Sequence, residues 1–187
     1  MSKFLRYAAV GAVVASLGLA SGAQAATTDS ANTTATILTA LSVDVDTVKD
    51  TLDFGTFADS GLTSDANFTV NWDGSTGSCP TNLICAGPYA APEFHITGLT
   101  GYNVQVDLVN ATESLNYDSS NPPAPAGTTT AMSVGSFVTT DTTGVATNQF
   151  ALPAGTADFY LGGTLTVHPA MAAGLYTGTV TVSVKYN

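Results

Sequence analysis

The residues with the most catalytic potential are two histidines, because imidazole is the side chain that most often moves protons near neutral pH. His95 stands between Phe94 and Ile96, so strand alternation places it on the opposite face, at the surface or rim. His168 precedes Pro169 at a strand end, where a role in a turn is expected. No Gly-x-Ser-x-Gly elbow of a serine hydrolase occurs. We therefore expect no enzymatic activity; a hydrolase would need a pocket that unites a histidine with a carboxylate and a nucleophile.

Four aspartates within ten positions, Asp44, Asp46, Asp50 and Asp53, supply hard oxygen ligands of the kind that calcium takes. Their spacing does not follow the Asp-x-Asp-x-Asp-Gly loop pattern. Asp44 and Asp46 also alternate with valines, as the solvated face of a strand does. We expect solvated carboxylates, with no metal site and no cofactor.

Three aromatic residues, Trp72, Tyr89 and Tyr102, are candidates for stacking on sugars in an adhesin. Aromatic side chains in sandwich proteins are more often part of the core, and Trp72 closes an alternating strand. Asn67-Phe-Thr and Asn110-Ala-Thr match a glycosylation sequon, a match that is frequent by chance.

The two cysteines, Cys79 and Cys85, lie six positions apart. An even number of cysteines in an exported chain indicates a disulfide, and one that closes so short a loop contributes about 2 kcal/mol. A metal site needs more thiol or imidazole ligands than these cysteines and a distant histidine provide. A redox pair would favour a two-residue spacing. The sequence therefore predicts a structural disulfide.

The first 25 residues have the three parts of a cleavable secretory signal. Lys3 and Arg6 form a positive start, residues 7–20 are uncharged and mostly apolar, and Ala23-Gln24-Ala25 matches a cleavage site. As a helix the apolar run would extend about 21 Å, short of a hydrocarbon core of about 30 Å. We predict a signal peptide at 1–25 and a single exported domain at 26–187. This domain has no integral membrane segment and resides in the periplasm, then at the cell surface or outside the cell.

Acidic residues dominate the charge of the chain, with 14 Asp and Glu against 4 Lys and Arg. Removal of residues 1–25 would leave Lys49 and Lys185 as the basic residues. A nucleic-acid partner requires a basic surface that neutralises phosphates, and this chain has too few cations to form one. Anionic membrane surfaces are disfavoured for the same reason.

Apolar residues alternate with polar ones throughout residues 34–187, and none of these segments repeats them at helical spacing for three turns. Clusters of Gly, Pro, Asn, Asp and Ser separate the alternating segments and provide turns. The pattern predicts an all-β sandwich of about eight short strands. The strands are expected within residues 34–46, 52–56, 66–72, 94–96, 102–108, 132–138, 159–167 and 176–186.

The alternation is most regular in the last fourteen residues, 174–187. One face carries Tyr176, Gly178, Val180, Val182, Val184 and Tyr186, and the other carries threonines, a serine and a lysine. A strand divided in this way packs one face into a core while its backbone edge pairs with a neighbour.

This segment resembles the C-terminal strand of chaperone–usher pilus subunits. Those subunits have a penultimate tyrosine, a glycine fourteenth from the end and alternating apolar residues between the two. Here Tyr186 is penultimate and Gly174 is fourteenth from the end. The resemblance implies partners in a periplasmic chaperone, an usher and neighbouring subunits. The implied contact residues are Gly174, Tyr176, Val180, Val182, Val184 and Tyr186.

Over roughly residues 34–187 the chain resembles the DUF4402 family of exported bacterial domains. The resemblance rests on the order and spacing of segments 52–55, 97–102, 132–134, 161–167 and 173–179. It implies an immunoglobulin-like, pilin-like sandwich and a surface or secreted location, and it implies no particular activity.

A pilin-type sandwich lacks one strand, and a strand of a chaperone or of the next subunit fills the gap. The candidate donor strand here contains Ile37, Leu41, Val43 and Val45. If that segment is instead the domain's own first strand, little apolar sequence is left to donate. The chain would then be a terminal subunit or a self-completed monomer. We predict a non-enzymatic structural subunit, with a monomeric secreted binding module or adhesin on the same sandwich as the alternative.

Overall fold

The computed structural model describes Ala35 and residues 37–187, and the predicted signal peptide at 1–25 lies outside these residues. Residues 37–187 contain no helix long and apolar enough to cross a bilayer. They form twelve β-strands: β1 Ser42–Val45, β2 Thr56–Asp59, β3 Ala66–Val70, β4 Leu83–Ala86, β5 Glu93–Thr97, β6 Tyr102–Leu108, β7 Thr112–Tyr117, β8 Ala131–Thr140, β9 Gln149–Leu152, β10 Thr156–Val167, β11 Tyr176–Thr177 and β12 Val182–Tyr186.

The strands pair in antiparallel fashion in three sheets. The largest has the order β1-β5-β10-β8-β7-β11, and β3 pairs with the second half of β10. A three-stranded sheet has the order β12-β6-β9, and β2 pairs with β4. The predicted all-β sandwich is confirmed, whereas the expected number of about eight strands was too low.

Strand β10 is the centre of the large sheet because its alternating Thr-Leu-Thr-Val sequence places leucine and valine in the core. One of its edges pairs with β5 and then β3, and the other pairs with β8. The register with β8 shifts between Gly162 and Thr164, opposite an extra residue of β8. This bulge includes Ser136, whose φ is +48°. A bulge reverses the facing of a strand, so Val134 is buried before it and Val138 is exposed after it.

Two clusters of buried side chains form the core, and both lie against the large sheet. The first joins β3, β8 and β10 to the β2–β4 pair and contains Phe54, Ala66, Phe68, Val70, Leu83, Val134, Leu165 and Val167. The second joins β5 and β10 to the three-stranded sheet and contains Phe94, Ile96, Val104, Val106, Phe150, Leu152, Phe159 and Leu161. Phe137 is half-buried and packs against both. The layer that covers the large sheet is therefore divided into two separate small sheets.

Candidate functional site: an edge strand beside an apolar groove

The C-terminal segment forms two short strands that belong to different sheets. Tyr176 and Thr177 pair with β7 in the large sheet, whereas Val182–Tyr186 pair with β6 in the three-stranded sheet. The single continuous ribbon expected from the alternation is therefore interrupted. Gly178 lies at the crossing, where an added Cβ would come 2.5 Å from the carbonyl oxygen of Ser114.

Strand β12 is an edge strand. The backbone N–H and C=O groups that point away from the sheet are those of its apolar residues. The N–H of Val109 donates to Thr181, and the N–H of Asn187 donates to Asn103. Antiparallel strands alternate the direction of their backbone groups, so the odd-numbered residues of β12 bond to β6. The backbone groups of Val182 and Val184 consequently face away from β6. Among residues 37–187 no strand pairs with this outer edge.

An apolar groove of about 370 Å³ lies beside this edge, at the boundary of the two core clusters. The large sheet supplies its floor with Phe94, Val134 and Phe137. The segment before β2 forms one wall and residues 178–180 form the other. Asp50 and Glu113 also line the groove. The groove therefore has room, next to an unpaired edge, for apolar side chains of an added strand.

Tyr186 fixes the far end of β12 to the beginning of the domain. Its hydroxyl accepts a hydrogen bond from the N–H of Leu99 at 2.7 Å and donates to the carbonyl of Thr39 at 3.2 Å. Its ring packs edge-to-face on Tyr102, with 5.7 Å between the centroids. Gly98 makes room for this hydroxyl, because an added Cβ would come 2.7 Å from it.

Gly174 and Tyr176 lie away from the groove and fix β11. The Tyr176 hydroxyl donates to the carbonyl oxygen of Ala172 at 2.8 Å, and its ring packs edge-to-face on Tyr117. Burial raises the pKa of Tyr176 above its usual value of 10.0. Gly174 touches the same Tyr117 ring, since a Cβ would come 2.6 Å from it. The six predicted contact residues are therefore spread over four places: Gly174 before β11, Tyr176 on β11, Val180 at the crossing, and Val182, Val184 and Tyr186 on β12.

The candidate donor segment forms the other edge of the large sheet. Ser42–Val45 pair with β5, Leu41 and Val43 pack against the second core cluster, and Val45 lines the groove. Ile37 is 93% exposed. Within this chain residues 42–45 thus serve as the domain's own first strand. A role as donor concerns a neighbouring copy and stays a prediction.

The predicted disulfide is confirmed, with 5.9 Å between the Cα atoms of Cys79 and Cys85. Cys85 lies on β4 and faces Phe57 of β2 in the register of that pair. It also packs against the first core cluster. The bridge therefore ties the loop before β4 to the small sheet that covers this cluster.

Both histidines contact carboxylates, and neither contacts a nucleophile among the residues described. Nδ1 of His95 lies 2.6 Å from Asp158, and its Nε2 lies 3.3 Å from Asp46. Nδ1 of His168 lies 2.8 Å from Asp65. The hydrogen bonds with Asp158 and then Asp46 raise the pKa of His95 above 6.5. The partners of His95 come from neighbouring strands, and sequence reasoning missed them because it lacked the register of β1, β5 and β10.

In the described residues 37–187 the four candidate calcium ligands do not converge on one site. Asp46 accepts hydrogen bonds from the N–H groups of Val48 and Lys49, and Asp53 accepts one from Gly55. The amides of Lys49 and Val48, followed by His95, lower the pKa of Asp46 to about 2. In residues 37–187 the three ligand types that do converge, within 4.8 Å, are Glu93, His95 and Asp158. Lys49 neutralises Glu93 at 2.7 Å, so this convergence is a network of ion pairs.

The sequence pattern of one protein family, described as a domain of unknown function (DUF4402), matches residues 43–186. This range begins inside β1 and ends at the penultimate tyrosine, so it includes both edges of the groove. No curated protein matches the chain. Since the match covers most of the sequence, the chain belongs to the DUF4402 family.

Proposed function

We propose that this chain is an exported structural subunit of the cell surface that assembles by β-strand addition at β12, as pilin-type proteins do. In this proposal the sandwich is immunoglobulin-like and residues 1–25 direct export. The disulfide supports a place outside the cytoplasm, because such bonds persist in oxidising compartments. The partners are a periplasmic chaperone, an usher and neighbouring subunits.

The observation that carries the proposal is the combination of a free edge and an apolar groove at one place. Val182 and Val184 direct backbone groups outward, and Val180 lines the groove. An added strand gains main-chain hydrogen bonds from such an edge, and its alternate side chains fill the groove. A strand of alternating apolar residues therefore satisfies both surfaces at once.

The state without a partner strand has a physical cost. Val182 and Val184 remain only half-buried although they pack against the second core cluster. An open edge with apolar side chains is a hazard for aggregation, and proteins usually protect such edges. A chaperone that occupies the edge before assembly provides this protection.

The test is coexpression of the chain with a periplasmic chaperone of the chaperone–usher class, followed by capture of the complex. We expect a one-to-one complex with the wild-type chain. Val184→Pro should abolish it, because proline removes an N–H that points away from β6 and is tolerated on an edge strand. Substitution of Val182 or Tyr186 should weaken capture as well.

Lys185→Ala is the matched control, since Lys185 turns its side chain to solvent, with a single contact to Asp107, and its backbone to β6. This variant should be captured like the wild type, and circular dichroism should show that all variants keep their β-structure. A folded wild-type chain that remains a free monomer would refute the proposal. Equal capture of Val184→Pro would show that the chaperone binds elsewhere.

A monomeric secreted binding module or adhesin is the second candidate function. The observation that favours it is Trp72, which is half-exposed beside a second pocket instead of buried in either core cluster. Tyr89 packs on the first core cluster and Tyr102 on Tyr186, so these two tyrosines offer less to a ligand.

A further inference from the structure

A second pocket, distinct from the groove, lies where the end of β3 meets β8 and β10. Its volume is about 210 Å³. Asn71 and Trp72, which follow β3, line it together with Val138 and Thr140 of β8, and the turn after β8 closes one side. It shares no residue with the groove beside β12.

Trp72 is held rigidly at this pocket. Its ring packs edge-to-face on Tyr160, with 5.6 Å between the centroids. On another side the indole touches Gly144, where an added Cβ would come 2.6 Å from the ring. The turn at Gly144, with a φ of +87°, therefore lies directly against the indole. A half-exposed indole that is fixed in this way offers a preformed aromatic surface, which loses little entropy when a ligand binds.

Thr140 lines the pocket and carries the one side-chain polar atom in residues 37–187 that is buried without a hydrogen-bond partner. The residue is 4% exposed. Leaving a buried hydroxyl unpaired costs about 1–3 kcal/mol, so native proteins rarely do so without a reason. A ligand hydroxyl that enters the pocket would supply the missing partner.

The backbone beside the pocket is strained where it turns β8 toward it. Ser136 has a φ of +48°, a conformation that side chains other than glycine rarely adopt. It belongs to the bulge that turns Val138 toward the pocket. Val134, which precedes the bulge on the same strand, faces the core. Strained residues and bulges persist where they shape a site.

The chemistry of the lining selects the class of ligand. It combines an indole and aliphatic groups with hydroxyl and amide groups, and none of its side chains carries a charge. Such a lining suits a neutral molecule that has both C–H faces and hydroxyl groups. The volume is below the roughly 300–1,000 Å³ of pockets for drug-sized ligands, which limits the occupant to a single ring. The acidic surface of the chain also disfavours an anionic sugar.

We propose that this pocket binds one neutral sugar ring, such as the terminal residue of a glycan. Trp72 contacts the C–H face of the ring. The Thr140 hydroxyl and the side-chain carbonyl of Asn71, whose amide already donates to Ser75 at 3.1 Å, pair with sugar hydroxyls.

The test uses the intrinsic fluorescence of Trp72, which is the sole tryptophan of the chain. The purified protein is titrated with methyl glycosides of neutral hexoses and N-acetylhexosamines, and with a hexuronic acid as the charged comparison. We expect a saturable change in emission with at least one neutral glycoside and none with the hexuronic acid. A flat titration with every neutral glycoside into the millimolar range overturns the proposal.

Thr140→Val tests sugar binding at the pocket without a loss of stability. This variant removes an unpaired hydroxyl at nearly constant volume, so its unfolding midpoint should equal or exceed that of the wild type. Its affinity for the glycoside should fall about tenfold, the equivalent of one hydrogen bond. Thr63→Val changes an exposed threonine outside the pocket and should bind like the wild type. Unchanged affinity in a folded Thr140→Val variant overturns the assigned site.

Val138→Glu provides a second variant, because Val138 is 46% exposed and a polar replacement there leaves the core intact. A carboxylate at the pocket should abolish binding measured by calorimetry. Equal binding by this variant would place the sugar elsewhere.

Discussion

Gly178 marks the point where the chain leaves the large sheet and enters the three-stranded one. Its neighbour on β7 is Ser114, whose carbonyl oxygen lies 2.5 Å from the position of a Cβ on residue 178. The backbones can approach this closely only where no side chain intervenes. The alternating pattern of 174–187 does not indicate this crossing, because Gly178 occupies an even position and so fits the pattern of the apolar face.

Gly178→Ala should therefore destabilise the fold, since the added methyl group must displace a backbone carbonyl. We expect a loss of about 1–3 kcal/mol in the free energy of unfolding, measured by urea denaturation. Gly77→Ala is the matched control, because a Cβ at Gly77 meets nothing within 4 Å. Equal stability of the two variants would mean that β7 yields to the methyl group without cost.

His95 joins three strands of the large sheet through ionisable partners on its outer face. Asp46, directly after β1, and Asp158 on β10 contact its two ring nitrogens, and Glu93 lies nearby, paired with Lys49. The protonated imidazolium satisfies both carboxylates, whereas the neutral ring has one donor and leaves one contact unsatisfied. The shift in the pKa of His95 is upward, so folding favours the protonated form.

This shift makes stability depend on pH near neutrality. The contribution of His95 is fully present below pH 6.5, its usual pKa, and is lost as the pH rises through the higher pKa of the folded state. We expect the thermal unfolding midpoint to decrease as the pH is raised from 6 to 9. His95→Gln should make the midpoint depend less on pH. Thermal denaturation of both proteins across this range is the measurement. The same pH dependence in the variant would assign it to other groups.

At the scale of elements, strands with regular apolar alternation were predictable. β3, β6 and β10 lie where the alternation placed them, because burial of one face dictates that pattern. β4, β7 and β9 were missed. The sequence of β7, Thr-Glu-Ser-Leu-Asn-Tyr, holds half-buried and exposed residues only, and β9 has four residues. Short or exposed strands depend on neighbours for their pairing, and a single sequence does not show those neighbours.

The edge of β12 makes a prediction for individual amides. In the free chain the N–H groups of Val182 and Val184 point outward and should exchange with deuterium quickly, whereas those of Ser183 and Lys185 bond to β6 and should exchange slowly. Hydrogen exchange followed by NMR measures these rates, and the slow amides are the internal control. In complex with a chaperone the outward amides should also become slow. Equal protection of all four amides in the free chain would mean that this edge is already occupied.

The disulfide stabilises a single element, the small sheet that contains β4. Replacement of Cys79 and Cys85 by serine should lower the free energy of unfolding by about 2 kcal/mol, the contribution expected for a loop this short. The double variant should stay folded, since both core clusters persist without the bridge. Urea denaturation measures the difference, and complete unfolding of the variant would show that the bridge holds far more than its own loop.

At the scale of the molecule, the sequence indicated a sandwich but not the position of the apolar groove. The groove takes its lining from Leu52, Leu115, Phe137 and Val180, which are distant in sequence, so no single segment of the chain indicates it. Strand β12, which lies within the segment 174–187 that resembles a pilin strand, is at an edge of the three-stranded sheet. The opposite wall depended on the division of the covering layer into two sheets, which no local pattern encodes.

Two opposing properties of the whole molecule govern its behaviour without a partner. The free edge beside the groove favours pairing between copies, whereas a net charge of −10 repels them. Salt screens the repulsion and leaves apolar burial in place. The purified chain should therefore be monomeric at low ionic strength and should associate at about 1 M salt, as measured by sedimentation velocity. Val184→Lys should remain monomeric in both conditions, because an edge lysine opposes strand pairing. Equal association of this variant would place the contact between copies on another surface, and the groove would then have no part in it.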